Sequence, residues 1–194
     1  MVFYQKKWAS VFENPHRPTT FVKQIKSGHG DFPKKWPGMV SRTPILMDRL
    51  STVVDIEQPP SVVYDFLTDD ENKPLWLSNY VRQERIKGTD GKVGSVSRQF
   101  FRENGRQISL LEEITSAREA ELFENTLRHE QMDIRLRNEL KAIGDNRTEL
   151  RITFEYAPKT WIARMFYWVT RGKLMRRHKK DIQNLKSAVE TLGE

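Results

Sequence analysis

Apolar and polar positions alternate along this chain with two periods. Between residues 47 and 156 the period is mostly two, which is typical of strands with one buried face. The first such segment places Leu50, Thr52, Val54 and Ile56 on one side. Turn-forming residues separate six further segments, which we predict as antiparallel strands at 80–87, 95–102, 107–115, about 119–126, 132–143 and 148–156.

Residues 161–192 have the period of a helix. One face recurs every three or four positions and consists of Leu174, Met175, Ile182, Leu185, Val189 and Leu192. Thr160 is a suitable N-cap, and Gly172 is expected to kink or loosen the helix. This long amphipathic helix needs a sheet to bury its apolar face, and the sheet needs the helix.

Two short helices are predicted between the first two strands. After Pro59 and Pro60, Ser61 is a plausible N-cap, and an apolar face follows at Val62, Val63, Phe66 and Leu67. The next segment, residues 69–77, begins with acidic residues and contains Pro74. We predict a second short helix or turn there, with Leu75, Trp76 and Leu77 pointing inward.

The N-terminal arm, residues 1–46, has a different pattern. Five prolines and three glycines interrupt it, yet it carries many large apolar side chains. We expect an irregular arm, with a short helix near residues 4–12, that docks on the body or on a partner. His16 and His29 have no second ligand at a suitable spacing, so we predict loop histidines and no metal site.

Composition narrows the possible classes. The 194 residues suit one domain, 47–194, plus the arm. The absence of cysteine excludes disulfides, thiolate metal sites and a cysteine nucleophile. No apolar run approaches the roughly 18 residues of a membrane span. We therefore expect a soluble, cytoplasmic protein of unknown oligomeric state, without a cofactor.

The net charge of +7 is unevenly distributed. Residues 1–46 carry 8 basic and 2 acidic groups, residues 47–158 carry 16 and 21, and residues 159–194 carry 9 and 3. The balances are +6, −5 and +6. Either the basic ends offset the acidic sheet, or they attract an anionic partner. No nucleic-acid-binding signature accompanies the basic residues, so we expect no nucleic-acid partner.

Three segments carry a resemblance to a known family. They are VVDIEQPPSVVYDFLTDDENKPLWL at 53–77, GTDGKVGSVSRQ at 88–99, and GDNRTELRITFEYAP at 144–158 followed by a helix ending in LKSAVE. In order and spacing, residues 47–192 resemble the START-like (SRPBCC) helix-grip superfamily, especially its polyketide cyclase and lipid-transport-like branch. The resemblance implies an α+β fold in which a curved antiparallel sheet of about seven strands wraps the last helix around an apolar cavity.

The strand phases suggest which residues line such a cavity. Taking the more apolar phase of each strand as inward places Phe100, Leu110 and Tyr156 inside. Four polar residues share these phases: Arg98, Glu112, Glu124 and Asn138. Because unpaired buried charges are costly, convergent polar groups in an apolar pocket are typical of a small-molecule site. Trp76, Tyr80 and Phe166 are further candidate ligand contacts.

For each of these candidate residues, a purely structural role is an alternative to ligand contact. A β-bulge would turn any of these polar residues outward, and Arg98 with Glu112 could be a cross-strand pair without a ligand. The four aromatic residues Trp76, Tyr80, Phe100 and Phe166 could simply be core.

Three functions remain open on the sequence. The leading one is binding, transport or sequestration of a hydrophobic or amphipathic small molecule or lipid. An enzyme of the cyclase or dehydratase type would use Glu112 or Glu124 as acid or base and Tyr156 as donor, but no catalytic motif is evident. A membrane-apposed lipid carrier would use the aromatic segment 161–169 and the basic run after it, although the same residues suit a helix packed on a sheet.

Overall fold

The computed structural model of the protein describes residues 48–193. The chain divides into two units, Met1–Thr43 and Pro44–Glu194, and all the described residues belong to the second. The predicted arm, its short helix near residues 4–12 and the loop histidines 16 and 29 lie outside the described residues. The domain boundary predicted at residue 47 stays a prediction.

A seven-stranded antiparallel sheet forms the body of the described unit. Its spatial order is β1-β7-β6-β5-β4-β3-β2, so the first strand pairs with the last and the remaining strands form a meander. The strands are β1 Asp48–Ile56, β2 Tyr80–Lys87, β3 Val96–Glu103, β4 Arg106–Arg118, β5 Leu122–Arg128, β6 Met132–Gly144 and β7 Arg147–Pro158. All seven were predicted, within a few residues at each end.

Three helices accompany the sheet. Helix α1 spans Pro60–Thr68, α2 spans Lys73–Trp76 and α3 spans Trp161–Glu190; short 3₁₀ turns lie at Asp70–Asn72 and Thr191–Gly193. The predicted Ser61 N-cap is wrong. The N-cap is Pro59, so helix α1 begins at Pro60, two residues before the start that a Ser61 cap would give, and it has no side-chain cap. Proline suits the first helical position because it has no N–H to satisfy and already has helical φ.

Helix α3 is capped as predicted. The Thr160 hydroxyl oxygen accepts a hydrogen bond from the Ala163 backbone N–H at 3.1 Å. The helix then continues through Gly172 without interruption. It lies across β1, β7 and α2, whereas α1 covers β5 and β6.

The apolar core lies between the inner sheet face and the helices. Helix α3 contributes Ile182, Leu185 and Val189 from its C-terminal half, none more than 2% exposed. The sheet and α1 supply most of the rest, including Ile56, Val63, Phe66, Leu67, Ile114, Phe123, Leu136, Leu140, Leu150 and Ile152. This architecture, a curved antiparallel sheet around a long terminal helix, is the predicted START-like helix-grip fold.

Tight turns connect the strands of the meander. The β3–β4 hairpin turns at Asn104 and Gly105, both with positive φ, as the Asn-Gly pair predicts. At the end of β2, Gly88 has φ +83°, and a Cβ there would lie 2.8 Å from the Cα of Ser95. Only glycine fits this approach, which positions the start of β3.

Candidate ligand-binding site

A cluster of polar side chains occupies the inner sheet face at β3, β4 and β5. Strand pairing places Ser97 opposite Glu112, and Ile114 opposite Asn125. Directly paired residues point to the same face, so Ser97, Glu112 and Asn125 face the interior together. Gln99, two residues after Ser97, joins them, and each of the four is at most 5% exposed.

All these side chains converge on the carboxylate of Glu112. The Lys73 ammonium donates to Oε2 at 2.9 Å and the Ser97 hydroxyl donates to the same oxygen at 3.0 Å. The Gln99 amide also donates to Oε2, and the Asn125 amide donates to Oε1. We call Lys73, Ser97, Gln99, Glu112 and Asn125 the Glu112 cluster.

Lys73 brings a second carboxylate and an amide to the Glu112 cluster from the start of α2. Its Nζ lies 2.6 Å from Asp70 Oδ1 and 3.1 Å from Gln83 Oε1. An ammonium has three N–H donors, and Glu112, Asp70 and Gln83 use them all. Burial favours neutral lysine, but the Glu112 and Asp70 carboxylates outweigh it and hold the pKa of Lys73 above its usual value. Lys73 is therefore charged and fully paired.

Two buried polar atoms have no hydrogen-bond partner within the described residues and no charge of their own. They are the carbonyl oxygen of Asn125 and the indole N–H of Trp76. An unsatisfied buried polar group costs about 1–3 kcal/mol, so native structures usually pair such groups. The Asn125 oxygen can accept from a guest molecule and the Trp76 N–H can donate to one.

A second polar chain connects α3 to β1 and β7. The fully buried Tyr156 hydroxyl is hydrogen-bonded to Nε2 of His178, whose ring stacks on Phe154 at 4.0 Å between centroids. Beside Tyr156, with 5.1 Å between the ring centres, Tyr167 donates to Asp48 at 2.6 Å, and Asp48 also accepts from Arg171 at 2.6 Å. These contacts hold the middle of α3, from Tyr167 to His178, to the sheet.

Burial suppresses the ionisation of Tyr156 and His178 in this second chain. Burial, with the positive Arg177 adding to it, lowers the pKa of His178 to about 4. Burial also raises the pKa of Tyr156 well above its usual value. At neutral pH both partners are therefore uncharged, which suits a structural hydrogen bond.

Two surface pockets lie near the ends of the inner face. One, of about 310 Å³, is lined by residues 78–81 and Arg102. The other, of about 400 Å³, lies between Tyr64 and Thr68 of α1, the β2–β3 turn and Ala117 of β4. The space beneath the C-terminal half of α3 is filled by the apolar core instead.

Within residues 48–193, no group of three or more acidic or histidine side chains is arranged to hold a metal ion.

Comparison with known families agrees with this architecture. A model of the family described as polyketide cyclase / dehydrase and lipid transport matches residues 47–190. The chain belongs to this family. The match covers the whole sheet and all of α3. No curated protein matches the chain in sequence.

Solved structures share the fold of this family member at low sequence identity. A START superfamily protein from Mycobacterium smegmatis has a TM-score of 0.61 at 14% identity, covering 74% of this chain and 98% of that one. The Zhui aromatase/cyclase from Streptomyces sp. R1128 has a TM-score of 0.60 at 13% identity, with coverages of 76% and 96%. Ginseng major latex-like protein 151 from Panax ginseng has a TM-score of 0.59 at 14% identity, with coverages of 74% and 97%.

The inner placement predicted for Glu112, Asn138, Leu110 and Tyr156 agrees with the structure. Leu110 and Glu112 share the inner phase of β4 with Ile114. Asn138, 3% exposed, donates to the Phe123 carbonyl oxygen at 3.3 Å. Ligand contact by these residues stays a prediction.

The inner placement predicted for Arg98, Phe100 and Glu124 is wrong. On β3 the buried phase is Ser97, Gln99 and Phe101, so Arg98 and Phe100 lie on the outer face. There the Arg82 guanidinium lies 3.9 Å above the centre of the Phe100 ring. Glu124 also faces outward, where it pairs with Arg137 at 3.2 Å. The buried polar groups on these two strands are Ser97 and Gln99 on β3 and Asn125 on β5 instead.

The remaining aromatic candidates have different environments. Trp76 is buried in the core and carries the unpaired indole N–H. Tyr80 lines the pocket of about 310 Å³ and packs edge-on against Phe101, with 5.9 Å between ring centres. Phe166 lies half-buried on α3. For all three, a role in ligand binding stays a prediction.

Sequence reasoning missed Lys73, Ser97, Gln99, Asn125 and His178. One usable signal was Glu112 itself, because a carboxylate within the apolar phase of a strand requires a buried cation or donors. The sequence offers 33 basic residues as partners, and nothing in it singles out Lys73.

Proposed function

We propose that this protein binds a hydrophobic or amphipathic small molecule, for transport or sequestration, between the inner sheet face and the helices. The apolar part of the guest lies against inner side chains such as Phe101, Leu110 and Ile114. Its polar end reaches the Glu112 cluster, where Asn125 accepts a hydrogen bond. The cytoplasmic location expected from the sequence stays a prediction.

The observation that carries this proposal is the Glu112 cluster on a mainly apolar inner face. A buried ion pair contributes little net stability, because desolvation offsets its attraction, and apolar residues of similar volume are often as stabilising. A cluster that also leaves the Asn125 oxygen unpaired is costly for a purely structural element. A guest with a donor group would satisfy that oxygen, and an apolar pocket with few polar groups is the usual form of a small-molecule site. Membership in a family described as including lipid transport supports the same assignment.

The contacts of Glu112 favour a role in ligand binding over a role in catalysis. A cyclase or dehydratase would need an acid or base free to exchange a proton with its substrate. Glu112 is committed to Lys73, Ser97, Gln99 and Asn125, and Tyr156 is bonded to His178. Glu124, the second candidate base, lies on the outer face.

The first test is native mass spectrometry of the protein purified from cells without detergent. We expect a co-purified apolar compound that organic extraction removes. Its release should leave a protein that again takes up an added apolar probe. A protein that is free of ligand, and takes up none, would contradict the proposal.

The second test measures binding of the fluorescent probe N-phenyl-1-naphthylamine, which has apolar rings and one N–H donor. Asn125→Leu removes the unpaired acceptor while keeping the side chain's size. Loss of one hydrogen bond of about 1.4 kcal/mol should weaken binding about tenfold. Asn146→Leu, in the exposed β6–β7 turn, is the matched control and should bind as the unaltered protein does. Equal affinities for Asn125→Leu and Asn146→Leu would exclude Asn125 as the ligand's partner, provided circular dichroism shows both folded.

A further inference from the structure

The first half of α3 exposes apolar side chains to solvent. Trp161 is 69% exposed, Met165 57%, Trp168 61% and Val169 83%. On the opposite side of the same turns, Ala163 and Tyr167 are buried against the sheet. A helix that packs one face on a core normally presents polar residues to water on the other. This half of α3 is apolar on both faces, and a contiguous exposed apolar patch of this kind marks an interaction site.

The exposed side of α3 changes from apolar to basic along the helix. Trp161, Met165 and Trp168 follow one another at spacings of four and three residues, and the same spacing continues through Gly172 to Arg176 and Lys179. One outward face of α3 is therefore apolar over its first turns and basic over the next ones. We call residues 161–180 on this outward side the α3 outer face.

The charge of this segment has one sign. Residues 161–180 contain seven basic residues and no acidic residue. Arg171 and Arg177 are ion-paired with Asp48 and Glu103 on the sheet side. Arg164, Arg176, Lys179 and Lys180 are exposed and, within residues 48–193, make no ion pair. Four cations are thus available next to the exposed tryptophans.

We propose that the α3 outer face docks on an anionic lipid membrane surface. Tryptophan prefers the interface between headgroups and hydrocarbon, and lysine and arginine are attracted to anionic headgroups. A helix with apolar and aromatic residues beside basic ones lies in the plane of the interface. None of the helices in residues 48–193 is long and apolar enough to cross a membrane. This docking goes beyond the proposed ligand binding and does not depend on it.

Charge favours a membrane over two other occupants. Residues 1–46 carry 8 basic and 2 acidic groups, so the N-terminal arm would bring its own positive charge to a positive surface. A second copy of the chain would bring an equally basic α3 outer face. Both contacts are repulsive, whereas an anionic lipid surface neutralises all four cations.

Vesicle co-sedimentation of the full chain tests the proposal. The vesicles are phosphatidylcholine alone, or phosphatidylcholine with about 30% phosphatidylserine. We expect binding to the anionic vesicles that weakens at high salt, and little binding to the neutral ones. Absence of binding, or equal binding to both, would overturn the proposal.

Matched variants separate α3 from the other basic parts of the chain. Arg176→Gln with Lys179→Gln and Lys180→Gln removes three charges from the α3 outer face, and Trp161→Gln with Met165→Gln and Val169→Gln removes its apolar part. The variant without the three charges should bind vesicles at least about tenfold more weakly, because one basic residue near an anionic surface contributes about fivefold. The variant without the three apolar side chains should also bind at least about tenfold more weakly, because it has lost the side chains that enter the interface. The control, Lys87→Gln with Lys92→Gln and Lys141→Gln, removes the same charge from exposed positions elsewhere and should change binding less than about threefold.

The same variants reveal the other occupants. If the variant without the three charges and the variant without the three apolar side chains both bind vesicles as strongly as the unaltered chain, residues 1–46 or another surface binds the membrane and the proposal is wrong. The unaltered chain could instead sediment as a dimer, and the variant without the three apolar side chains as a monomer, with vesicle binding unchanged. The α3 outer face would then be a self-association surface, and the proposal would be wrong. Asn125→Leu should leave vesicle binding intact, so failure of ligand binding and failure of membrane docking are distinguishable.

Discussion

At the scale of single residues, His178 makes folding stability depend on pH. Its pKa is about 4 in the folded protein, because burial and Arg177 disfavour its charged form, and about 6.5 when unfolded. The unfolded state therefore binds a proton first as pH falls. His178 costs no stability above pH 6.5, and it reduces the free energy of unfolding progressively between pH 6.5 and 4. The full loss is about 3 kcal/mol.

A His178→Gln variant tests this dependence. Its amide can still bond the Tyr156 hydroxyl but does not titrate. Urea denaturation at several pH values should show a stability loss between pH 6.5 and 4 that is smaller by about 3 kcal/mol in the variant. His129, whose pKa burial also lowers, is present in both proteins and cancels in the comparison. Parallel pH profiles would mean that His178 is as easily protonated in the folded state as in the unfolded one.

The errors in residue placement have a physical cause. The rule that the more apolar phase of a strand points inward fails on β3, where Ser97 and Gln99 face the interior because the buried Glu112 carboxylate needs hydrogen-bond donors there. On β5 both phases carry apolar residues, and the β4–β5 pairing has a register irregularity between Ile114 and Ser116. Sequence patterns break where a polar site overrides the core rule, so the failure on β3 coincides with the candidate site.

At the scale of elements, the start of α3 depends on one hydroxyl. Replacing Thr160 with alanine removes the acceptor for the Ala163 N–H and should lower the free energy of unfolding by about 1 kcal/mol. Thr160→Ser keeps the hydroxyl and should lose much less. Denaturant titration of both variants measures the difference. Equal losses would show that the Thr160 methyl group, rather than the cap, is responsible.

Element types were easier to predict than element contacts. The strands follow from period-two alternation bounded by Gly, Asn and Pro, and α3 follows from its long three-and-four spacing. Of the face predicted from that spacing, Ile182, Leu185 and Val189 are buried. The other members are half-buried or exposed: Leu174 and Met175 are half-buried, and Leu192 is 61% exposed. The spacing could not show that Met165 and Val169 lie in solvent, because an apolar residue has the same sequence signature on a core face and on a binding face.

At the scale of the whole molecule, the order of elements together with the family resemblance predicted the helix-grip fold. Strand pairing such as β1 with β7 joins residues about a hundred positions apart, and no local pattern specifies it. The Glu112 cluster likewise joins α2 to three strands. Its existence depends on tertiary contacts that the sequence alone does not reveal, which is why Lys73 was missed.

The predicted boundary at residue 47 can be tested by removing the arm. The described residues make a complete pairing for β1, from Asp48 with Tyr156 to Ile56 with Thr148. Asp48 is also bound by Tyr167 and Arg171, and Ile56 is fully buried. A chain of residues 47–194 should therefore fold by itself, with a melting temperature within about 5 °C of the full chain. Thermal denaturation followed by circular dichroism measures this.

A shorter chain provides the control for that experiment. Beginning at residue 57 removes β1, which deletes one of the two strands paired with β7, the Asp48 contacts with α3 and the buried side chain of Ile56. Exposing a row of unpaired β7 backbone groups and losing a core residue should prevent cooperative folding. If residues 47–194 also fail to fold, the arm contributes to the core and the two-part division at residue 47 is wrong. If both shortened chains fold, β1 is dispensable, and its pairing with β7 is not needed to hold α3 in place.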